Sequence, residues 1–188
     1  MRKLYCSLTR SGDLDKLINT LEEYKASLSH RCVVFVERLL EEGIETARDN
    51  SGRYGENILF HRRIEGDDEI CIGVLIAEDR QKIVKTWYRS KRDAQNRQNM
   101  QSYEISPLLM AEFGSGWLAR VLDDVSGVGQ GTMPKQRHAF DPNGWAWYDE
   151  DGVKHESMGE APTYPVHAAL LSMLFEIDNI AREVFGNG

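Results

Sequence analysis

Apolar residues recur at three- and four-residue steps through the first quarter of the chain. Leu14, Leu17, Ile18, Leu21, Tyr24, Leu28, Cys32, Phe35, Val36, Leu39 and Leu40 share one helical face. The spacing predicts a helix over 13–48, inside an N-terminal helical segment 13–50. Asp13 and Asp15 suit the positive end of its dipole, and Asn50 and Gly52 are stop signals. A helix of that length spans about 54 Å at 1.5 Å per residue. A compact domain of this size has a radius of gyration of only about 16 Å. The helix therefore overhangs its domain or breaks near Gly43. An overhanging apolar stripe needs a partner, which points to an assembly protein.

Ile- and Val-rich runs then replace the helical period. "NILFHRRI" (57–64), "EICIGVLIA" (69–77) and "KIVKTWYR" (82–89) read as strands. "GDD" (66–68) and "EDRQ" (78–81) read as the turns between them. The expectation is one antiparallel sheet of about three strands across 54–89. Residues 90–102 are almost devoid of apolar side chains and read as a mobile polar loop. A short helix falls within 103–116, on "ISPLLMAEF" (105–113), with Pro107 in its first turn and "GSG" as its stop. Residues 123–143 carry many glycines and prolines and read as a long loop. "GWAWYDEDGVKHES" (144–157) is a hairpin, with Trp145 and Trp147 on one strand face. Residues 163–185 form an amphipathic C-terminal helix that Pro165 opens. The fold class that follows is α+β, in a single domain over 1–188.

Composition narrows the function. Apolar residues at 41% suffice for a core, while the net charge of −7 and pI near 5.3 argue against wholesale nucleic-acid binding. Cys6, Cys32 and Cys71 are odd in number and form no CxxC pair; Cys32 and Cys71 sit inside apolar segments, so the reading is buried thiols in a reducing cytoplasm. No window has the length and hydropathy of a membrane span or signal peptide.

Candidate chemistry is sparse. His30, His61, His138, His155 and His167 include no i, i+4 pair and no HExxH, so no metal or cofactor is expected. His138, Asp141 and Asp149 form an acid–base or metal cluster only if the fold brings them together. "GVGQGT" (127–132) lacks the lysine of a Walker loop, and its third glycine comes one place early for a dinucleotide fingerprint. Ser115 in "FGSGW" does not sit in a GxSxG elbow. Arg80, Lys82, Lys85, Arg89, Lys91, Arg92 and Arg97 concentrate positive charge within 80–97. Such a run is ordinarily a solvated face. Its functional reading is a patch for an acidic partner or for DNA. Trp145 and Trp147 read as core or interface anchors rather than base-stacking platforms.

Three stretches in order carry a resemblance. "EFGSG" (112–116) comes first, then the aromatic hairpin 144–155, then "MGEAPTYPVHAAL" (158–170) opening the last helix. This order resembles the tail-completion, or head–tail joining, proteins of long non-contractile-tailed (siphovirus-type) phages. That family has an "EFGTG" element, a variable loop, a "GWxYxDxxGK" hairpin and a proline-rich approach to the final helix. Glu112, Phe113, Gly114 and Gly116 match the first element, with Ser115 in place of threonine. Gly144, Trp145, Tyr148 and Gly152 match the hairpin, and Trp147 lies within it. Pro162 and Pro165 match the proline approach, without the family's "PxRPF". The matching motifs cover 103–170. The resemblance implies a structural virion protein of the neck or tail, not an enzyme, present in the host cytoplasm during assembly. It implies a homo-oligomeric ring, a hexamer or a dodecamer, between head-connector or stopper proteins and the tail terminator or tail tube. DNA in the channel is a further partner, and a membrane is not.

Two other functions stand beside it. One is a DNA-contacting module using the 80–97 segment and Trp87. The other is a small hydrolase around His138. One local question stays open. Glu112 ends a helix, where the dipole disfavours an anion by about 0.3–1 kcal/mol. It calls for a compensating basic partner, and 80–97 supplies candidates; otherwise it faces water.

Overall fold

The computed structural model describes residues 13–67, 70–118 and 141–186. Its elements are α+β. Helix α1 (Asp13–Asp49) leads, followed by a 3-10 turn (Gly52–Asn57). Strands β1 (Ile58–Gly66), β2 (Cys71–Asp79) and β3 (Ile83–Trp87) come next. Helix α2 (Lys91–Asn96), strand β4 (Gln101–Ile105) and helix α3 (Pro107–Phe113) follow. Strands β5 (Trp145–Tyr148), β6 (Lys154–Ser157) and the two-residue β7 (Gly159–Glu160) precede helix α4 (Pro165–Phe185). The described residues divide into two compact units, one of residues 13–44, 61–67, 70–76 and 170–186, the other of 45–60, 77–118 and 141–169.

In the first unit, α1 runs unbroken through Gly43. A glycine inside a helix costs about 1 kcal/mol relative to alanine. Here a Cβ would lie 2.8 Å from Met173 Sδ and 3.0 Å from Leu75, so bareness at this position lets α4 and β2 close on α1. Leu40, Ile44 and Ile180 are buried there. The Phe35 and Phe185 rings meet at 5.7 Å, and Arg38 pairs with Glu183. Arg62 reaches Glu41 and Glu37. An apolar groove of about 200 Å³ lies among Val36, Leu40, Gly73, Met173 and Leu174. Cys32 and Cys71 are half-buried rather than buried, and Cys6 lies outside the described residues.

The second unit takes in the last turn of α1 and the residues after it. Asn50 N–H and Ser51 Oγ–H donate back to the carbonyls of Thr46 and Ala47, which ends the helix at the expected place. The expected sheet of about three strands is instead a set of two-stranded pairs, β1–β2, β3–β4 and β5–β6. "EDRQ" is not a hairpin turn. Arg80 N–H donates to the Asn57 carbonyl at 2.8 Å, and Asp79 accepts the Leu108 N–H at 2.9 Å. The chain is tied there to other segments, and β3 pairs with β4, from Ile83 opposite Ile105 to Trp87 opposite Gln101.

The polar loop expected at 90–102 is also corrected. Residues 91–96 are helical, and 101–102 already belong to β4. Ser90 caps α2 by accepting the Asp93 N–H at 3.1 Å, and Arg97, at φ 51°, closes it. Ala94 is the one residue of α2 that is buried, so no apolar period announces the helix.

The aromatic hairpin forms as expected, with Trp145 opposite Ser157 and Tyr148 opposite Lys154. It is fastened beyond β3 by reciprocal backbone hydrogen bonds between Tyr88 and Tyr148, at 2.9 and 3.0 Å. The loop expected at 123–143 falls outside the described residues up to 140. Among the described residues no helix is long and apolar enough to cross a membrane.

Candidate functional site

Helix α3 opens on Ser106, which accepts the Leu109 N–H at 3.1 Å, with Pro107 at its first position. It closes at Phe113, and Gly114 N–H donates to the Met110 carbonyl at 2.9 Å. Gly114 and Gly116 then take φ of 63°, the left-handed region that favours glycine. A Cβ on Gly114 would lie 2.6 Å from Pro162, and one on Gly116 would lie 2.8 Å from the Trp145 ring. Between them, Ser115 and Gly116 form an antiparallel bridge with Glu160 and Gly159. Trp117 N–H extends it to the Met158 carbonyl at 2.9 Å. "EFGSG" and "MGEAP" are thus two faces of one short backbone ladder.

The ends of α3 and α4 exchange hydrogen bonds next to this ladder. The Ala111 carbonyl, one of the orphan acceptors at the α3 C-terminus, receives the N–H groups of Thr163 at 2.8 Å and Tyr164 at 3.1 Å. In return, the Glu112 carboxylate accepts the N–H of Val166 at 2.8 Å and of His167 at 3.2 Å. These are the second and third residues of α4. A side chain at the N-cap ordinarily serves them, but Tyr164 stands at that position and has no oxygen within reach. Pro165, first in α4 and fully buried, has no N–H to satisfy. The expectation of a basic partner for Glu112 from 80–97 is therefore overturned: the carboxylate, still partly exposed, serves the first turn of α4 instead. The positive end of a second helix dipole supplies the compensation.

A buried hydroxyl completes the site. Tyr54, 5% exposed, donates from Oη to Glu160 Oε2 at 2.7 Å. The Arg53 guanidinium donates to Tyr54 Oη at 3.0 Å and pairs with Glu160. Burial, and then the hydrogen bond to Glu160, push the Tyr54 hydroxyl up to about 12. Sequence reasoning missed this cluster. "RYGEN" (53–57) has no apolar period, and an Arg–Tyr pair carries no motif of its own.

The candidate residues fall into two groups. Glu112, Gly114, Ser115, Gly116, Trp145, Pro162 and Pro165 converge on the ladder and the helix ends. Phe113 is half-buried at the end of α3. Trp147 and Tyr148 lie elsewhere on the hairpin. The Trp147 ring stacks on His155 at 4.2 Å, and Tyr148 bridges to Tyr88. His155 Nε2–H donates to Asp149 Oδ2 at 2.8 Å, while Asp149 Oδ1 accepts the N–H groups of Asp151 and Val153. The hydrogen bond from His155, then that from Val153, hold Asp149 below the usual carboxylate range. Asp149 staples the hairpin turn. Asp141 accepts the Asn143 N–H in a separate turn, and His138 lies outside the described residues. Among the described residues no group of three acidic, histidine or cysteine side chains is placed to hold a metal.

The basic residues Arg80, Lys82, Lys85, Arg89, Lys91, Arg92 and Arg97 are all exposed, running from just before β3 to the residue that closes α2. Lys82 reaches Glu104 across the β3–β4 pair at 3.5 Å, with both side chains more than half exposed. A pair so solvated contributes about 0–1 kcal/mol and leaves the patch positive. Compared with known proteins, the chain matches no family model, no curated sequence and no solved structure.

Proposed function

We propose that this chain is a structural virion protein of the phage neck, completing the tail and joining it to the head by ring assembly and protein–protein contacts. One observation carries the reading. The residues that resemble the tail-completion family come from segments about 50 positions apart, and they form one interlocked site: Glu112 on the α4 amides, and Ser115 and Gly116 on Glu160 and Gly159. The motif residues serve as a backbone clasp, which suits a protein that works by holding shape and needs no catalytic group. On this reading the partners are further copies of the chain, the head connector or stopper, and the tail terminator or tube.

The test is deletion of the gene in its phage background, with electron microscopy of the lysate. Filled heads and unjoined or irregular tails, restored to particles by added purified protein, support the proposal. Intact infectious particles formed without the protein overturn it.

The exposed 80–97 patch favours a second reading, contact with DNA passing through the ring. Its test is affinity for duplex DNA across a salt series. Binding that falls steeply with salt and is lost on joint neutralisation of Lys85, Lys91 and Arg92 supports it, and no binding at low salt removes it.

A further inference from the structure

We infer that the N-terminal half of α1 is a homotypic contact, pairing antiparallel with the same stretch of a second copy. The inference goes beyond the neck proposal and stands without it. Leu14, Ile18, Leu21, Tyr24 and Leu28 are 54, 45, 49, 66 and 41% exposed. Five large apolar side chains along one side of a helix are more than a scatter of surface hydrophobics.

The spacing says what kind of partner covers them. Positions 14, 18, 21, 25, 28, 32, 35 and 39 alternate steps of four and three, the a/d seam of a coiled coil. Toward its C-terminal end the seam already has an occupant. Phe35 meets Phe185 of α4, and Leu39 borders the apolar groove beside Leu174. The seam positions from Leu14 to Leu28 are exposed, although the pattern is unchanged. A second helix fits there, as α4 fits the rest.

Charge chooses the second copy and its direction. Lys25 is the one polar residue among the first five seam positions, and a polar residue at such a place sets register and orientation. In a parallel pair Lys25 would face Lys25. In an antiparallel pair centred near residue 23, each Lys25 lies over Leu21 of the other copy and reaches its Glu22. Two reciprocal ion pairs then flank the two-fold axis, where the two Glu22 carboxylates would otherwise repel. The same register sets Leu28 against Ile18 and Leu14 against Cys32. Two such self-complementary stripes make an isologous, closed contact. About five turns of helix fall short of the roughly 1,200 Å² that marks standard interfaces, so the dimer is reversible and depends on concentration.

The test uses the full chain in analytical ultracentrifugation from low to high micromolar concentration. A monomer–dimer equilibrium is expected. Leu21→Glu, on an exposed position, should weaken it about tenfold or more with helix content unchanged. Lys25→Glu should weaken it as well, and the double swap Glu22→Lys with Lys25→Glu should restore it. Leu14→Cys under mild oxidation should give a covalent dimer whose mapped bond joins the introduced thiol to Cys32. A monomer at every concentration overturns the inference. So does a dimer that Leu21→Glu leaves intact, one lost instead on Phe175→Asp in α4, or a bond between two introduced thiols alone.

Discussion

The Glu112 carboxylate accepts the backbone N–H of Val166 at 2.8 Å, so the last turn of one helix caps the first turn of another. Glu112→Ala should cost about 1–2 kcal/mol, the range for loss of an N-terminal cap. In a chain of this length that lowers the melting temperature by roughly 2–8 °C. Glu112→Gln keeps one acceptor and loses the charge, so it should cost less than half as much. Thermal unfolding of both variants at low and high salt separates the two parts, because only the charge part is screened.

Gly116 has φ of 63° and lies against the Trp145 ring and the Met158 carbonyl. Gly116→Ala should destabilise the chain by about 2 kcal/mol or more, since it adds both strain and a clash. Denaturant unfolding gives the magnitude. Loss of the ladder should appear as faster hydrogen exchange at Trp117, whose N–H donates to Met158.

Tyr54 predicts an alkaline transition. Its ordinary pKa is 10.0, and in the fold it rises to about 12. The folded chain then holds a proton that the unfolded chain has released. The stabilisation is complete below pH 10 and is lost as pH climbs toward 12, at about 1.4 kcal/mol per pH unit. Tyr54→Phe should remove that slope. Stability measured by denaturant between pH 9 and about 12 checks the sign.

Ser90→Ala should cost about 1 kcal/mol locally by uncapping α2. Its readout is hydrogen exchange at Ala94, whose N–H donates to the Ser90 carbonyl at 3.1 Å. Exchange there that is already unprotected in the wild-type chain would show that the segment is the polar loop its composition suggests.

What the sequence made legible follows from where the signal lay. The periods of α1 and α4 and the spacing of Trp145 and Trp147 are local, and both helices and the hairpin came out with nearly the right bounds. The α+β class rests on them. Strand partners are not local. Nothing in "EDRQ" says that Asp79 will hold Leu108, so the three strands were joined into one sheet. α2 was missed because Ser90 and Arg97 define it through caps, while Ala94 alone anchors it. At the site, the motif glycines were visible as a turn. The partner of Glu112 was not, because backbone amides at another helix start have no side-chain signature.

The long reach of that cap also bears on the order in which the chain folds. Glu112 precedes the amide it serves by 54 positions. α4 has a good apolar period but no local stop for its first turn, since Tyr164 offers no cap. Its middle can therefore form early, while its first turn waits until α3 has docked and a long loop has closed, an entropic toll that slows folding. The start of the last helix is set late, and only in molecules whose α3 is already in place.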